Sequence, residues 1–262
     1  MILVADNLRI TDSTIQNAIK NRDRDQIYSL TERLVNAGAG AIDINPGPLT
    51  KEADSQMKFF VDSVRVVTDL PLLLDTTNPE AIRAGLSAGK TGMIINGFSL
   101  EPCKLEQILP LAKEFDVDII GFLLNSDSQP PADIQDRLNI AVELFQKCRE
   151  AGISENRLII DPVVAPLLWN NGATRNMELL EIIRLLPDIL GFQVRTIAGL
   201  SNLTSGISDK EKKLTLQKAY LPMLASSGLT MLLMDILNTP VVNMANTCNS
   251  LTGKKTFTLY DF

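Results

Sequence analysis

Short apolar runs alternate with longer amphipathic stretches along this chain of 262 residues. Runs suited to one buried strand begin near residues 2, 41, 71, 92, 118, 158, 190 and 230. Between them, apolar residues recur at spacings of three and four, the mark of a helix that buries one face. Ile27, Leu30, Leu34 and Val35 keep this spacing, as do Met57, Phe60, Val61 and Val64. Ile134, Leu138, Ala141, Phe145 and Cys148 mark a longer helix, and Leu179, Ile182, Ile183 and Leu186 the next. Val241, Met244, Ala245 and Cys248 mark a last helix, with Thr239 read as its N-cap and Pro240 as its first residue. Pro110 and Pro222 fall inside helical patterns, where a missing N–H and a ring clash predict a kink or an early end.

Eight strands alternating with helices predict the α/β class, closed as a single (β/α)8 TIM barrel. The length suits it, since such barrels run to ~250 residues. No linker or composition shift divides the chain, so one domain over residues 1–262 is expected. The rival is an open, doubly wound sheet. Its G-x-G-x-x-G fingerprint between a strand and a helix is absent. Gly38-Ala39-Gly40 ends a helix and precedes a strand, which is the wrong context. Gly85-Leu86-Ser87-Ala88-Gly89-Lys90-Thr91 mimics a P-loop, but its glycines are one residue too close and it runs from helix into strand. A helix end at Gly89 is the better reading.

The polar positions carry the second pattern. Asp43 and Asn45, Asp75, Asn96, Asn125, Asp161, Asn202 and Asp235 each follow or close a strand run. In a closed βα barrel the carboxyl ends of the strands meet at one mouth, where active sites lie. A single Asp or Asn there reads as a cap for the following helix. A whole ring of them reads as a polar cup. Gln193 and Arg195, alternating with Val194, are further candidates to point inward, and Arg195 reads equally as half of a structural ion pair.

Composition narrows the chemistry. The net charge is −6 and the basic residues are scattered, so nucleic acid is not an expected partner. No apolar stretch approaches the ~20 residues of a membrane span, and the N-terminus lacks the pattern of a signal peptide, so a cytoplasmic protein is expected. Cys103, Cys148 and Cys248 match no metal or disulfide spacing, so no metal site is expected. The chain has no histidine. A Ser-His-Asp triad is therefore excluded, and the commonest metal ligand is missing. Carboxylates accept strongly from paired N–H donors. Two carboxylates and an amide around one pocket suit a flat heterocycle with an amidine-like edge and a carbonyl, as in a pterin.

Five segments in this order carry a family resemblance. They are Asp43-Ile44-Asn45 with Gly47, Leu74-Asp75-Thr76-Thr77-Asn78, Met93-Ile94-Ile95-Asn96, Ile160-Asp161-Pro162 and Gly199-Leu200-Ser201-Asn202-Leu203-Thr204-Ser205-Gly206. Over almost its whole length the chain resembles the pterin-binding barrel methyltransferases, specifically the methyltetrahydrofolate:corrinoid methyltransferases. The resemblance implies that Asp75, Asn96 and Asp161 hold the pterin ring and that Asn202 lies near N5. Asn45 matches a position lining the same mouth. Asp6, Asp43, Asn125 and Gln193 complete the expected pterin-binding set. Two segments depart from the family pattern. Ala5-Asp6-Asn7-Leu8-Arg9 stands where the family often has Gly-Glu-Arg-Ile-Asn, so Asp6 would replace a Glu with shorter reach. The family's Arg after the Ser-Asn loop is absent, and Lys210, Lys212 and Lys213 are offered instead for a folate tail or as a solvated face.

The resemblance implies transfer of a methyl group between N5 of tetrahydrofolate and the cobalt of a corrinoid, in either direction. Asn202, Asp161 and Asp75 are the expected catalytic set. The chain has no corrinoid-binding Asp-x-His-x-x-Gly motif, so cobalamin would come in trans from a corrinoid-binding protein. A homodimer is expected on family grounds. The alternatives are a dihydropteroate synthase-like enzyme or a non-catalytic pterin-binding subunit. The first is disfavoured because its Ser-Arg-Lys-type loop and late Arg-x-His are missing. Trp169 reads as a folate wall, a partner contact or loop packing.

Overall fold

In a computed structural model the chain is described over residues 1–47, 49 and 52–253. The last nine residues of the expected domain, 254–262, lie outside the described residues.

Eight parallel strands close into one barrel in chain order. They are β1 (Ile2–Arg9), β2 (Ala41–Asn45), β3 (Leu72–Asp75), β4 (Met93–Phe98), β5 (Asp118–Phe122), β6 (Leu158–Asp161), β7 (Arg195–Gly199) and β8 (Met231–Met234). The seam is sealed by β1 on β8, with Ile2 opposite Met231 and Ala5 opposite Met234. The helices are α1 (Ser13–Asn21), α2 (Arg24–Asn36), α3 (Ala53–Val67), α4 (Pro79–Gly89), α5 (Pro102–Phe115), α6 (Ile134–Glu150), α7 (Gly172–Leu190), α8 (Lys210–Ser226) and α9 (Thr239–Thr252). The protein is a (β/α)8 TIM barrel, as the alternation of runs predicts.

Strand side chains alternate between two cores. Val4, Ala41, Leu73, Ile94, Ile120, Ile159, Ile197 and Met231, one from each strand, fill the barrel interior. Their neighbours Leu3, Ile42, Leu72, Ile95, Ile119, Ile160, Ala198 and Leu232 pack outward against the helices. This explains why the strands read as unbroken apolar runs, for both of their faces are buried. The interior layer is a plug, so the barrel is not a pore.

The structure corrects four details. The seventh strand begins at Arg195 rather than near 190, because Leu190 ends α7 and Gly191 closes that helix at φ +82°. The last helix is preceded by Asn238, and Thr239 is its first residue. Pro110 and Pro222 end neither helix, and a third proline, Pro187, lies inside α7. Pro110 is exposed, and Pro187 and Pro222 are half-buried. α1 was not expected. It is short, capped by Asp12, and buries only Ile15, Ala18 and Ile19.

Candidate active site

The chemistry begins two residues beyond the interior plug, where the same inward parity continues up each strand. Val4 leads to Asp6, Ala41 to Asp43, Leu73 to Asp75, Ile94 to Asn96 and Ile159 to Asp161. On the other strands the step leads to Phe122, Gly199 and Leu233. Phe122 and Leu233 pack down onto the plug. The cup therefore has a polar arc on β1 to β4 and β6, and an apolar wall on β5 and β8. Gly199 adds no side chain, which leaves room inside the mouth.

The polar arc is cross-linked. Asn45 Nδ2 donates to Asp75 Oδ2 at 2.5 Å, and Asn45 Oδ1 accepts from the Gly47 N–H at 2.9 Å. Asn96 Nδ2 donates to Asp43 Oδ1 at 3.0 Å. Asp161 Oδ1 accepts from the Val163 N–H at 2.8 Å. Ser201 Oγ donates to Asp6 Oδ2 at 2.6 Å. Each amide thus orients a carboxylate of another strand. Gly97 lets β4 press close to β5, since a Cβ there would stand 2.2 Å from the Ile120 carbonyl oxygen.

Burial sets the charge state of these carboxyls. It pushes Asp161 up to about 7, against the stabilising Val163 bond. It pushes Asp75 up to about 6, against the bond from Asn45. Asp43 lies well above the usual carboxylate range, through burial first and the charge of Asp75 second, opposed by Asn96. Burial also raises Asp6, opposed by its bond from Ser201. Near neutral pH the cup holds carboxyls poised between acceptor and donor forms. Such a set can meet the mixed N–H and carbonyl edge of a flat heterocycle.

Asn202 sits on a 3₁₀ turn over Leu200–Thr204 at the end of β7. A Cβ on Gly199 would lie 3.2 Å from Asn202 Nδ2, so the amide reaches across the inward face of that glycine. Asn202 is exposed, and among the described residues its side chain makes no hydrogen bond. Its amide is available to a ligand.

The sequence profile of the family described as "Pterin binding enzyme" matches residues 7–235. This chain belongs to that family. Among curated proteins, the pterin-binding barrel is 25% identical over 210 residues to "Methylcorrinoid:tetrahydrofolate methyltransferase" of Eubacterium limosum, covering 79% of this chain and 76% of that one. It is 22% identical over 204 residues to "Methionine synthase" of Mycobacterium tuberculosis, covering 73% of this chain and only 16% of that much longer protein. The fold matches 7,8-dihydropteroate synthase from Vibrio fischeri with a TM-score of 0.73 at 16% identity, over 97% of this chain and 94% of that one. A Yersinia pestis dihydropteroate synthase gives 0.72 at 18% identity with the same coverage.

Other expected site residues lie elsewhere or serve the backbone. Asn125 closes a turn, its Oδ1 accepting from the N–H groups of Asp127 and Gln129 at 3.1 and 2.9 Å. Gln193 is exposed and precedes β7 at the opposite end of the barrel, away from the cup. Arg195 is at that end too, donating to Asp118 at 2.7 Å and to the Asn156 carbonyl at 2.6 Å. Asn78, within the third-strand motif, caps α4. Asp235 accepts from Asn7 at 2.6 Å and ties β8 to β1. Lys210 and Lys212 are exposed at the start of α8, and Lys213 is half-buried. Trp169 and Leu168 are exposed on the loop after β6. Among the described residues, no group of His, Cys, Asp and Glu could hold a metal ion, and no helix is long and apolar enough to cross a membrane.

One supporting residue was not foreseen. Asn176 on α7 is buried, accepts from the Ala165 N–H at 3.0 Å and donates to the Ala165 carbonyl at 2.8 Å. It pins the loop that follows Asp161. Its signal was present, since it stands in phase with the apolar stripe of Leu179, Leu180 and Ile183.

Proposed function

We propose that this protein is a methyltransferase that moves a methyl group between N5 of tetrahydrofolate and the cobalt of a corrinoid carried by a separate protein. The observation that carries the reading is the unengaged Asn202 amide, set across the bare face of Gly199 in the mouth that also holds Asp6, Asp43, Asp75 and Asp161. The similarity to a methylcorrinoid:tetrahydrofolate methyltransferase supports it. So does the Gly199-Leu200-Ser201-Asn202 loop, which stands where a dihydropteroate synthase would carry a Ser-Arg-Lys-type loop.

The corrinoid supplies the cobalt that gives or takes the methyl group. The chain's own residues bind and orient the folate. Asp75 and Asp161, with Asn96, accept and donate along the pterin edge, and the apolar wall of Phe122 and Leu233 receives the ring's flank. The hard step lies at N5, because an amine anion is a poor leaving group. N5 must gain positive character as its bond to the methyl breaks. The Asn202 amide supplies a hydrogen bond that strengthens in the transition state and can act as donor or acceptor. No histidine is present to bring the proton. Asp161, held near 7, is the group best placed in charge state to buffer it through water. Leu168 and Trp169 present apolar surface beside the mouth for the corrinoid protein. Their loop is bonded to the Asn202 turn, with Leu167 N–H on the Leu203 carbonyl at 3.0 Å.

The test is binding and turnover together. Calorimetry with 5-methyltetrahydrofolate should show wild-type binding that Asp75→Asn weakens strongly. Optical assays with free cobalamin should detect transfer in at least one direction. Asn202→Ala should lower kcat more than affinity. A well-folded wild type that binds no folate would return the cup to an unassigned barrel.

A further inference from the structure

One bond in the mouth joins the first strand to the turn that follows the seventh. Ser201 Oγ donates to Asp6 Oδ2 at 2.6 Å across 195 residues of sequence. Ser201 directly precedes Asn202, and both lie on the same short 3₁₀ turn. Asp6 is 8% exposed, on the inward side of β1. Its other oxygen, Oδ1, is buried and has no hydrogen-bond partner among the described residues. Arg9 approaches only to 3.8 Å and is half-exposed. A buried carboxyl with one of its oxygens unsatisfied is costly to the fold. Simple closure of the barrel does not require it, because the Asn7–Asp235 bond and the β1–β8 ladder already hold the neighbouring seam.

We propose that Asp6 is a positioning residue that acts through Ser201 to fix the Asn202 amide over Gly199. The inference rests on the proposed methyl-transfer reading and extends it to a residue that reaches N5 only indirectly. The geometry is narrow. The Asn202 amide nitrogen stands 3.2 Å from where a Cβ of residue 199 would lie, so it is held close to the barrel wall. A turn this short transmits a shift of Ser201 directly to its neighbour. A hydrogen bond that matters chiefly in the transition state is lost by small displacements of its donor.

The test compares Asp6→Ala, Ser201→Ala, Asp6→Asn and the double variant Asp6→Ala/Ser201→Ala. Methyl transfer is followed with 5-methyltetrahydrofolate and reduced free cobalamin. Folate binding is measured by calorimetry, and amide exchange is followed at residues 200–204. Asp6→Ala and Ser201→Ala should each lower kcat by about tenfold or more, with folate affinity changed by less than about threefold. The double variant should be no slower than either single variant, because both remove the same bond. Asp6→Asn should restore most of the rate, since its amide oxygen still accepts from Ser201. Exchange over 200–204 should rise in Asp6→Ala and return in Asp6→Asn. Multiplying losses in the double variant, or unchanged exchange in Asp6→Ala, would overturn the assignment. The exchange result stands even if wild type transfers no methyl group, which would instead sink the methyltransferase reading.

Discussion

Asp161 offers the sharpest physical test, because its effect on folding does not depend on turnover. Its carboxyl is pushed from 3.8 up to about 7 by burial, with one opposing bond from Val163. The replacement Asp161→Asn keeps the shape and still accepts from the Val163 N–H through Oδ1. What it removes is the capacity to ionise. The folded protein holds this proton more tightly than the unfolded chain. Folding is therefore favoured below about pH 4, and that advantage is lost as pH rises through about 7. At ~1.36 kcal/mol per pH unit, the gap from 3.8 to about 7 bounds the total at roughly 4 kcal/mol. The residue is only partly buried by surface exposure, so screening should reduce the observed value to about 2 kcal/mol. The assay is urea denaturation of wild type and Asp161→Asn from about pH 4.5 to 8. Asp43 and Asp75 titrate in both proteins, so the difference between the two curves isolates Asp161. The variant should gain on wild type as pH rises, and the gain should level off above about pH 7. A difference that stays flat across the range would refute the claim that burial governs this carboxyl.

Folate affinity should itself depend on pH. If the ring's N–H donors require ionised Asp161, wild-type affinity should fall about tenfold per pH unit below about 7; calorimetric constants that do not change from pH 6 to 8 would exclude that binding mode. Asn176→Ala removes two buried bonds to Ala165 and should destabilise the protein by about 2–4 kcal/mol, read by denaturation midpoint. A loss under about 1 kcal/mol would show that the loop after Asp161 has other anchors. Gly97→Ala would set a Cβ 2.2 Å from the Ile120 carbonyl oxygen and should cost about 3 kcal/mol or more; near-wild-type stability would mean that β4 and β5 can part without loss.

The fold was legible because both strand faces and one helix face are buried. Runs such as Leu72-Leu73-Leu74 and Leu158-Ile159-Ile160 feed the interior plug and the outer core at once, and no polar residue interrupts them. The seventh strand was misplaced for the same reason. Ile189 and Leu190 extend an apolar pattern toward Phe192 and Val194, and composition does not say that Gly191 stops a helix there. In the site, the strand-end Asp and Asn residues were visible as a set, but their separate duties were not. Whether such a residue points inward or turns back on the backbone depends on parity counted from the plug. Asp75 follows Leu73 by two and faces inward, whereas Asn125 lies beyond the strand and spends its oxygen on the turn. Gln193 and Arg195 alternate correctly, yet Gln193 precedes β7 and Arg195 opens it. Alternation distinguishes faces but says nothing about which end of the barrel a residue occupies.

That distinction bears on what the two ends do. At the amino ends of the strands, Arg157 and Arg195 both meet Asp118, and Arg157 also meets Asp116, so fixed positive charges neutralise the carboxylates. At the carboxyl ends, among the described residues, Asp43, Asp75 and Asp161 are hydrogen-bonded by amide or backbone N–H donors and by no guanidinium, while Arg9 stands 3.8 Å from Asp6. An arginine bonded to Asp43, Asp75 or Asp161 would hold that carboxylate ionised and already paired. Neutral donors leave acceptor capacity unspent and keep the carboxyls near the pH at which they exchange protons. The same residue type thus braces one end of the barrel and leaves the other chemically unsatisfied, ready for a ligand that brings its own donors.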